Sequence, residues 1–166
     1  MDSQLLRSDE LGIKLEIVNG LPVWEASPVI RHQIAVDRIR DSIKKAETDD
    51  INCDCFHVAD IYVQFPDGSL KRPVISIYCT TPTETDEAVK EIPDAVIEII
   101  SKGYEKKDLE IGVPFYLANG VKDIAVFNPY TNEVLHFHNG EKRELTSPVK
   151  IEFECGWQLQ GLGENL

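Results

Sequence analysis

The sequence predicts an α/β or α+β domain in which helices pack against one mixed sheet. Three observations carry that expectation. Asn19-Gly20 and Asn139-Gly140 are tight-turn pairs set between strand-like runs, as antiparallel hairpins require. Asp94 to Ile100 is a nearly continuous apolar run, the pattern of a strand buried on both faces. Ser27-Pro28 stands before isoleucines spaced by four and five residues, which marks the start and one side of a helix.

In chain order, Leu11 to Val18 and Leu21 to Ala26 read as the two arms of the first hairpin. The helix opens with Ser27 as cap and Pro28 in its first turn. It carries Ile30, Ile34, Ile39 and Ile43 as its apolar stripe and runs to about Ala46, before the polar Thr48-Asp49-Asp50. Phe56 to Phe65 and Leu70 to Cys79 form an antiparallel pair around Pro66-Asp67-Gly68. Thr80 to Ile92 is polar and acidic and reads as a loop with one short helical turn. Asp108 to Ala118 is helical, weakened early by Gly112 and Pro114, and Asn119-Gly120 ends it. Asp123 to Phe127, Glu133 to His138, Lys142 to Leu145 and Val149 to Cys155 are the remaining strands. Repeats and linkers are absent. The expectation is one domain over residues 11–158, with flexible tails at 1–10 and 159–166.

Bulk composition narrows the classes. The 166 residues, 42% apolar and 28% charged, are those of one soluble globular domain. No apolar run nears the roughly 18–20 residues that cross a bilayer. The first ten residues hold no apolar export core, so a cytoplasmic location is expected. Cys53, Cys55, Cys79 and Cys155 are too sparse for a disulfide framework and read as small, half-buried, reduced thiols. Cys53-x-Cys55-x-His57 lacks the spacing and the partner pair of a zinc clip. A net charge of −12 disfavours tight, non-specific binding of nucleic acid by a single copy. Arg38, Arg40, Lys44, Lys45, Lys102, Lys106 and Lys107 supply a basic patch if folding gathers them; otherwise they are solvated surface charges.

Glu98 interrupts the apolar run. A carboxylate there must be paired, neutralised or metal-bound, because an unpaired buried charge costs several kcal/mol. It is either a divalent-metal ligand or a structural partner at a strand end. His136 and His138 alternate along one strand and share a face, which makes a weak metal site without a third ligand. Trp24 and Trp157 read as core or interface aromatics.

Several stretches, in order and spacing, resemble the Uma-type restriction endonuclease family, a branch of the PD-(D/E)XK nucleases. They are Asn19-Gly20, Ser27-Pro28 with His32, Pro93 to Tyr104, and Pro114 to Ile124 ending at Asn128-Pro129. The resemblance covers about Leu15 to Gly156. It implies a restriction-endonuclease-like core, with an N-terminal hairpin and a strand-rich C-terminal part. It also implies DNA as substrate, Mg²⁺ held by two carboxylates, and a lysine that orients the attacking water.

Carried over residue by residue, Glu98 matches the second carboxylate. The first is expected after Arg72-Pro73, where Val74 stands instead and cannot bind a cation. Ile100 occupies the usual lysine position, leaving Lys102 and Lys107 as the candidate lysines. Lys102 shares a face with Glu98 if the strand continues, but lies about 13 Å along it. A symmetric hairpin closed by Phe65 and Ser69 puts Asp60 opposite Val74 or Ile75, where it can replace the missing carboxylate. Glu25 is a third candidate ligand. His32 either contacts a phosphate or ligand, or simply packs. Two functions follow: a Mg²⁺-dependent DNA endonuclease with an altered site, or an inactive nuclease-fold relative acting as a binding or regulatory module. Related folds pair around a duplex, so a homodimer belongs to the same expectation.

Overall fold

The computed structural model describes residues 7–8, 10–26, 28–47, 54–83 and 86–160. Asn19 and Gly20 both take positive φ, 51° and 78°, and fold β1 (Ile13–Val18) onto β2 (Leu21–Ala26). This is the two-residue turn their side chains favour.

Helix α1 (Ile30–Ser42) follows. The expected cap, Ser27, lies outside the described residues; the helix starts after Val29, with no side-chain cap bond. Its buried face is His32, Ala35, Val36 and Ile39, extended by Ile43. The expected isoleucine stripe is therefore displaced, and Ile30 is 78% exposed. Spacings of three and four residues keep one face of a 3.6-residue helix, whereas steps of four and five drift around it. The helix also stops short of Ala46. Ile43 turns extended, and Lys44–Lys45 become β3 on the C-terminal strand.

The second hairpin keeps one register throughout. Phe56↔Tyr78 to Ala59↔Ile75 join β4 (Phe56–Ala59) to β7 (Ile75–Tyr78). Val63↔Lys71 and Gln64↔Leu70 join β5 (Val63–Gln64) to β6 (Leu70–Lys71). Each expected long strand is nevertheless broken in the middle. At Asp60 φ is 58°, and the chain bends there so that the hairpin's two halves belong to different sheets. Among the described residues of the Thr80–Ile92 loop no helical turn forms; Val89 instead makes a parallel bridge to Val63.

The central strand is β8 (Ala95–Ile99), antiparallel to β7 and parallel to β9 (Asp123–Phe127). Between β8 and β9 come a wide π-helical segment, Lys107–Gly112, and α2 (Val113–Ala118). Pro114 has no amide to donate and Gly112 has low helix propensity, so the ladder widens where the sequence weakens it. β10 (Glu133–His138) and β11 (Glu141–Thr146) complete a six-stranded mixed sheet, ordered β11-β10-β9-β8-β7-β4.

The single expected sheet is in fact three. The first hairpin joins the second in a four-stranded sheet, β2-β1-β6-β5. β12 (Lys150–Glu152), β13 (Trp157–Gln160) and β3 form a three-stranded one. β13 crosses the expected boundary at residue 158 and buries Leu159 completely. One further expectation is corrected: Cys55 and Cys79, facing each other at the end of the β4–β7 ladder, are joined by a disulfide, and Cys155 alone is a free thiol among the described cysteines. Cys53 lies outside the described residues.

Two apolar cores flank β8. Ala95, Ile97 and Ile99 pack with α1, Ile75, Ile77, Phe153 and Leu159. Val96 and Ile100 pack with Val18, Phe65, Phe115 and Tyr116. Strand alternation puts Glu98 on this second side.

Candidate functional site

Glu98 is 2% exposed, and both of its oxygens are engaged. The Tyr116 hydroxyl donates to Oε1 at 2.6 Å, and the Val74 amide donates to Oε2 at 3.3 Å. Burial, followed by the charge of Glu98, pushes the Tyr116 phenol well above its ordinary range. Tyr116 is thus a permanent donor that holds Glu98 in place.

The inner face of the first hairpin supplies further charge. Lys14 pairs with Glu25 across the strands, and Glu16 with Val23. Glu16 is 1% exposed and accepts two bonds, from Lys71 Nζ at 2.5 Å and from the Arg72 amide at 2.7 Å. Burial opposes its charge, but Lys71, Lys14 and Lys107 outweigh that and hold its carboxyl far below the usual range. Lys71 is itself 1% exposed, with its ammonium 5.1 Å from the Tyr116 ring centroid.

Lys107 enters the same region from the start of the π-helical segment. Its ammonium pairs with Glu25 and, at 3.0 Å, with Asp108 Oδ1. Burial works against that charge, yet Glu16, Asp108, Glu98 and Glu25 together hold the ammonium above the usual lysine range. Burial and the charge of Glu98 push the Asp108 carboxyl up to about 7, against the pull of Lys107. For Glu25, burial loses to Lys107 and Lys14, and its carboxyl is lowered.

A cleft of about 340 Å³ opens beside this network, with Lys14, Glu25, His32, Arg40, Asp60 and Val74 in its walls. His32 Nε2 lies 3.1 Å from the Ile99 carbonyl, an acceptor only, so Nε2 carries the proton. Nδ1 is buried without a hydrogen-bond partner. Burial and Lys14 lower the His32 pKa, so a neutral imidazole with a free Nδ1 lone pair borders the cleft at neutral pH.

The residues singled out from sequence divide. Glu98, Lys107 and Glu25 belong to one electrostatic network, and His32 lines the adjoining cleft. Asp60 stands beside Val74, as the hairpin register requires: its amide donates to the Val74 carbonyl at 3.1 Å. Its carboxylate turns to Arg72 at 2.9 Å and is 55% exposed. Lys102 lies in an exposed turn after β8 has ended, so the continued strand that would align it with Glu98 does not exist. Among the described residues, no group of three histidine, cysteine or carboxylate ligand atoms lying within 4.8 Å of one another includes Glu98, Glu25 or Asp60.

Glu16, Lys71, Tyr116 and Asp108 were missed. Glu16 sits at the polar parity of an alternating strand and so reads as solvent-facing. The available signal was its place on the same hairpin face as Glu25, with Lys71 directly before Arg72-Pro73. His136 and His138 do share a face, and both reach Asp123 Oδ1, at 2.8 and 3.0 Å, on the far side of β9 from β8.

A mixed sheet bearing a buried glutamate on its central strand, with a lysine and a hairpin carboxylate beside it, is the frame of a restriction-endonuclease-like protein. Residues 2–162 match the profile of Uma2, described as "Putative restriction endonuclease", and the chain belongs to that family. The fold is similar to the crystal structure of a "putative nuclease" of the DUF820 family from Anabaena variabilis. That likeness has a TM-score of 0.63 and 17% identity, over 82% of this chain and 79% of that one. A cryo-EM structure of a DrdV–DNA complex matches at a TM-score of 0.37 and 13% identity, over 69% of this chain and 9% of that one. No curated protein matches significantly. No helix among the described residues is long and apolar enough to cross a membrane.

Proposed function

We propose that this chain is a non-cleaving member of the endonuclease fold, a module that engages DNA without hydrolysing it. One observation carries the reading: Val74 lines the cleft where a second carboxylate is expected, so Glu98, held by the Tyr116 hydroxyl and the Val74 amide, has no carboxylate partner there. Mg²⁺ takes hard oxygen donors in a near-octahedral shell, usually one or two carboxylates plus waters. The carboxylates here do not fit that demand, because Asp60 is paired with Arg72 and Glu25 with Lys107. The buried charges are compensated by one another, which is how a protein keeps such groups without a metal.

DNA is the proposed partner because the family is described as one of restriction endonucleases; Lys14, Arg40 and Arg72 in the cleft wall, set against Glu25, Asp37 and Asp60, are the cations that would meet phosphate. With a net charge of −12, binding is weak and falls steeply with salt. Two copies on one duplex, as a homodimer, belong to the same proposal, and sedimentation velocity with and without duplex tests it. Cleavage assays with Mg²⁺ or Mn²⁺ on linear and supercoiled DNA test the function. We expect no cutting by the natural chain and a gel shift that Arg40→Ala and Arg72→Ala weaken.

A second reading, an active Mg²⁺ endonuclease with a displaced carboxylate, is favoured by the placement of Asp60 beside Val74. It predicts metal-dependent cutting that Asp60→Ala and Glu98→Ala abolish.

A further inference from the structure

Away from the cleft, three sulfur atoms meet. Cys55 precedes β4, Cys79 follows β7, and Cys155 sits in the turn between β12 and β13. Their Sγ atoms all lie within 4.8 Å of one another. They come from three separate stretches of chain, so no local motif forces the meeting. Each stretch is held in place: Cys55 adjoins the β4–β7 ladder, the Cys79 amide donates to Asp94 Oδ2 at 2.8 Å, and the Gly156 carbonyl accepts from the Ala46 amide at 2.8 Å.

We propose that Cys55, Cys79 and Cys155 form a site for one thiophilic divalent cation of the zinc class when the Cys55–Cys79 disulfide is reduced. Zinc–thiolate bonds of about 2.3 Å in a tetrahedron put the sulfurs about 3.8 Å apart, inside the 4.8 Å that encloses all three here, once reduction lets the Cys55 and Cys79 sulfurs separate. Cys79 and Cys155 are partly exposed, which leaves the fourth position to water.

The alternative use of three close sulfurs is exchange, with Cys155 attacking the disulfide as a thiolate. The surroundings favour a cation over that step. Burial first, then the negative charges of Asp94 and Asp123, push the Cys155 thiol up and disfavour a bare thiolate, while the same negative charges attract a positive ion. The chemistry balances. A dithiol reductant gives two electrons and two protons to the disulfide and is itself oxidised to a disulfide. The cation then displaces three thiol protons to solvent.

The test uses the full chain reduced with a phosphine, which does not compete as a sulfur ligand, and Co²⁺ as a spectroscopic probe. The proposal expects thiolate-to-cobalt charge-transfer absorption that saturates at one equivalent, is displaced by Zn²⁺, and is absent from the oxidised chain. Cys155→Ser leaves the disulfide pair intact and should keep the fold by circular dichroism. In its reduced form it should bind Zn²⁺ more weakly by more than the roughly 10–100-fold that follows loss of a group merely hydrogen-bonded to a ligand. Glu98→Gln should bind Co²⁺ as the natural chain does. A reduced natural chain without charge-transfer absorption overturns the proposal. So does a Cys155→Ser chain of undiminished affinity, or a reduced chain that unfolds and does not refold with Zn²⁺.

Discussion

The two sides of β8 are built on opposite principles. Facing α1, Ala95, Ile97 and Ile99 sit in a cluster of apolar side chains from the helix and the surrounding strands, with His32 the one polar group of the helix's buried face. Facing the first hairpin, the same strand presents Glu98 among Glu16, Lys71, Lys107, Asp108 and Tyr116. The first side gains from every buried methylene, roughly 0.8 kcal/mol each. The second side takes charges out of water, a cost that mutual pairing offsets without a large surplus. A region kept at that cost is a poor place to look for stability. It is the side on which the proposed site lies.

The comparison can be broken most directly by removing half of a buried pair. Glu16→Ala leaves Lys71 buried and uncompensated and should cost about 3–5 kcal/mol in denaturant unfolding. The double replacement Glu16→Leu with Lys71→Met should recover most of that loss. If it does not, the pair contributes far more than charge compensation. On the apolar side, Ile97→Ala should cost about 2–5 kcal/mol and Ile97→Val only about 0.5–1.5, with no dependence on salt or pH.

Protonation separates the sides next. Burial and the charge of Glu98 push the Asp108 carboxyl up to about 7 in the fold, well above the ordinary carboxylate range. A carboxyl raised on folding binds its proton more tightly in the native state, so its contribution is present at low pH and is lost as pH rises from about 4 through 7. Wild-type stability should carry that downward component, at most about 1.4 kcal/mol per pH unit. Asp108→Asn should remove it, as read from unfolding curves at pH 5, 6, 7 and 8. Glu16 and Glu25 act with the opposite sign: their lowered values supply stability above about pH 4.5 that is lost on acidification. The smallest effect belongs to the Arg72–Asp60 pair. Asp60→Asn, which removes the charge but keeps a residue that tolerates the positive φ at this position, should change stability by less than about 1 kcal/mol, and any change should vanish in high salt.

Much of this was legible in the sequence, and the losses have physical reasons. The Asn-Gly turns fixed β1–β2 and β10–β11 because positive φ is costly for most other residues. The uninterrupted apolar run of β8 revealed the central strand and its one carboxylate. The hairpin centred on Asp67 gave the right register, and with it the neighbourhood of Asp60 and Val74. The break at Asp60 was hidden, since neither glycine nor proline marks it. So was β13, whose Trp157-Gln158-Leu159-Gln160 is short and sits at the end of the described chain. The network around Glu98 was only half visible. Glu25 and Lys107 were named, but Glu16 and Lys71 read as the outer face of strands until a second sheet covered them. The cysteines misled for a related reason: their spacing in sequence says nothing about three segments that meet only after folding.

The central claim is that Val74, standing where a second carboxylate is expected beside Glu98, leaves no working metal site, and one paired assay addresses it most directly. Mg²⁺- and Mn²⁺-dependent cleavage of plasmid DNA is measured for the natural chain and for Val74→Asp, alongside metal binding by calorimetry. The account predicts no cleavage and no measurable Mg²⁺ binding by the natural chain, with binding, and cleavage dependent on Glu98, appearing in Val74→Asp. Cleavage by the natural chain that disappears in Glu98→Ala would contradict it.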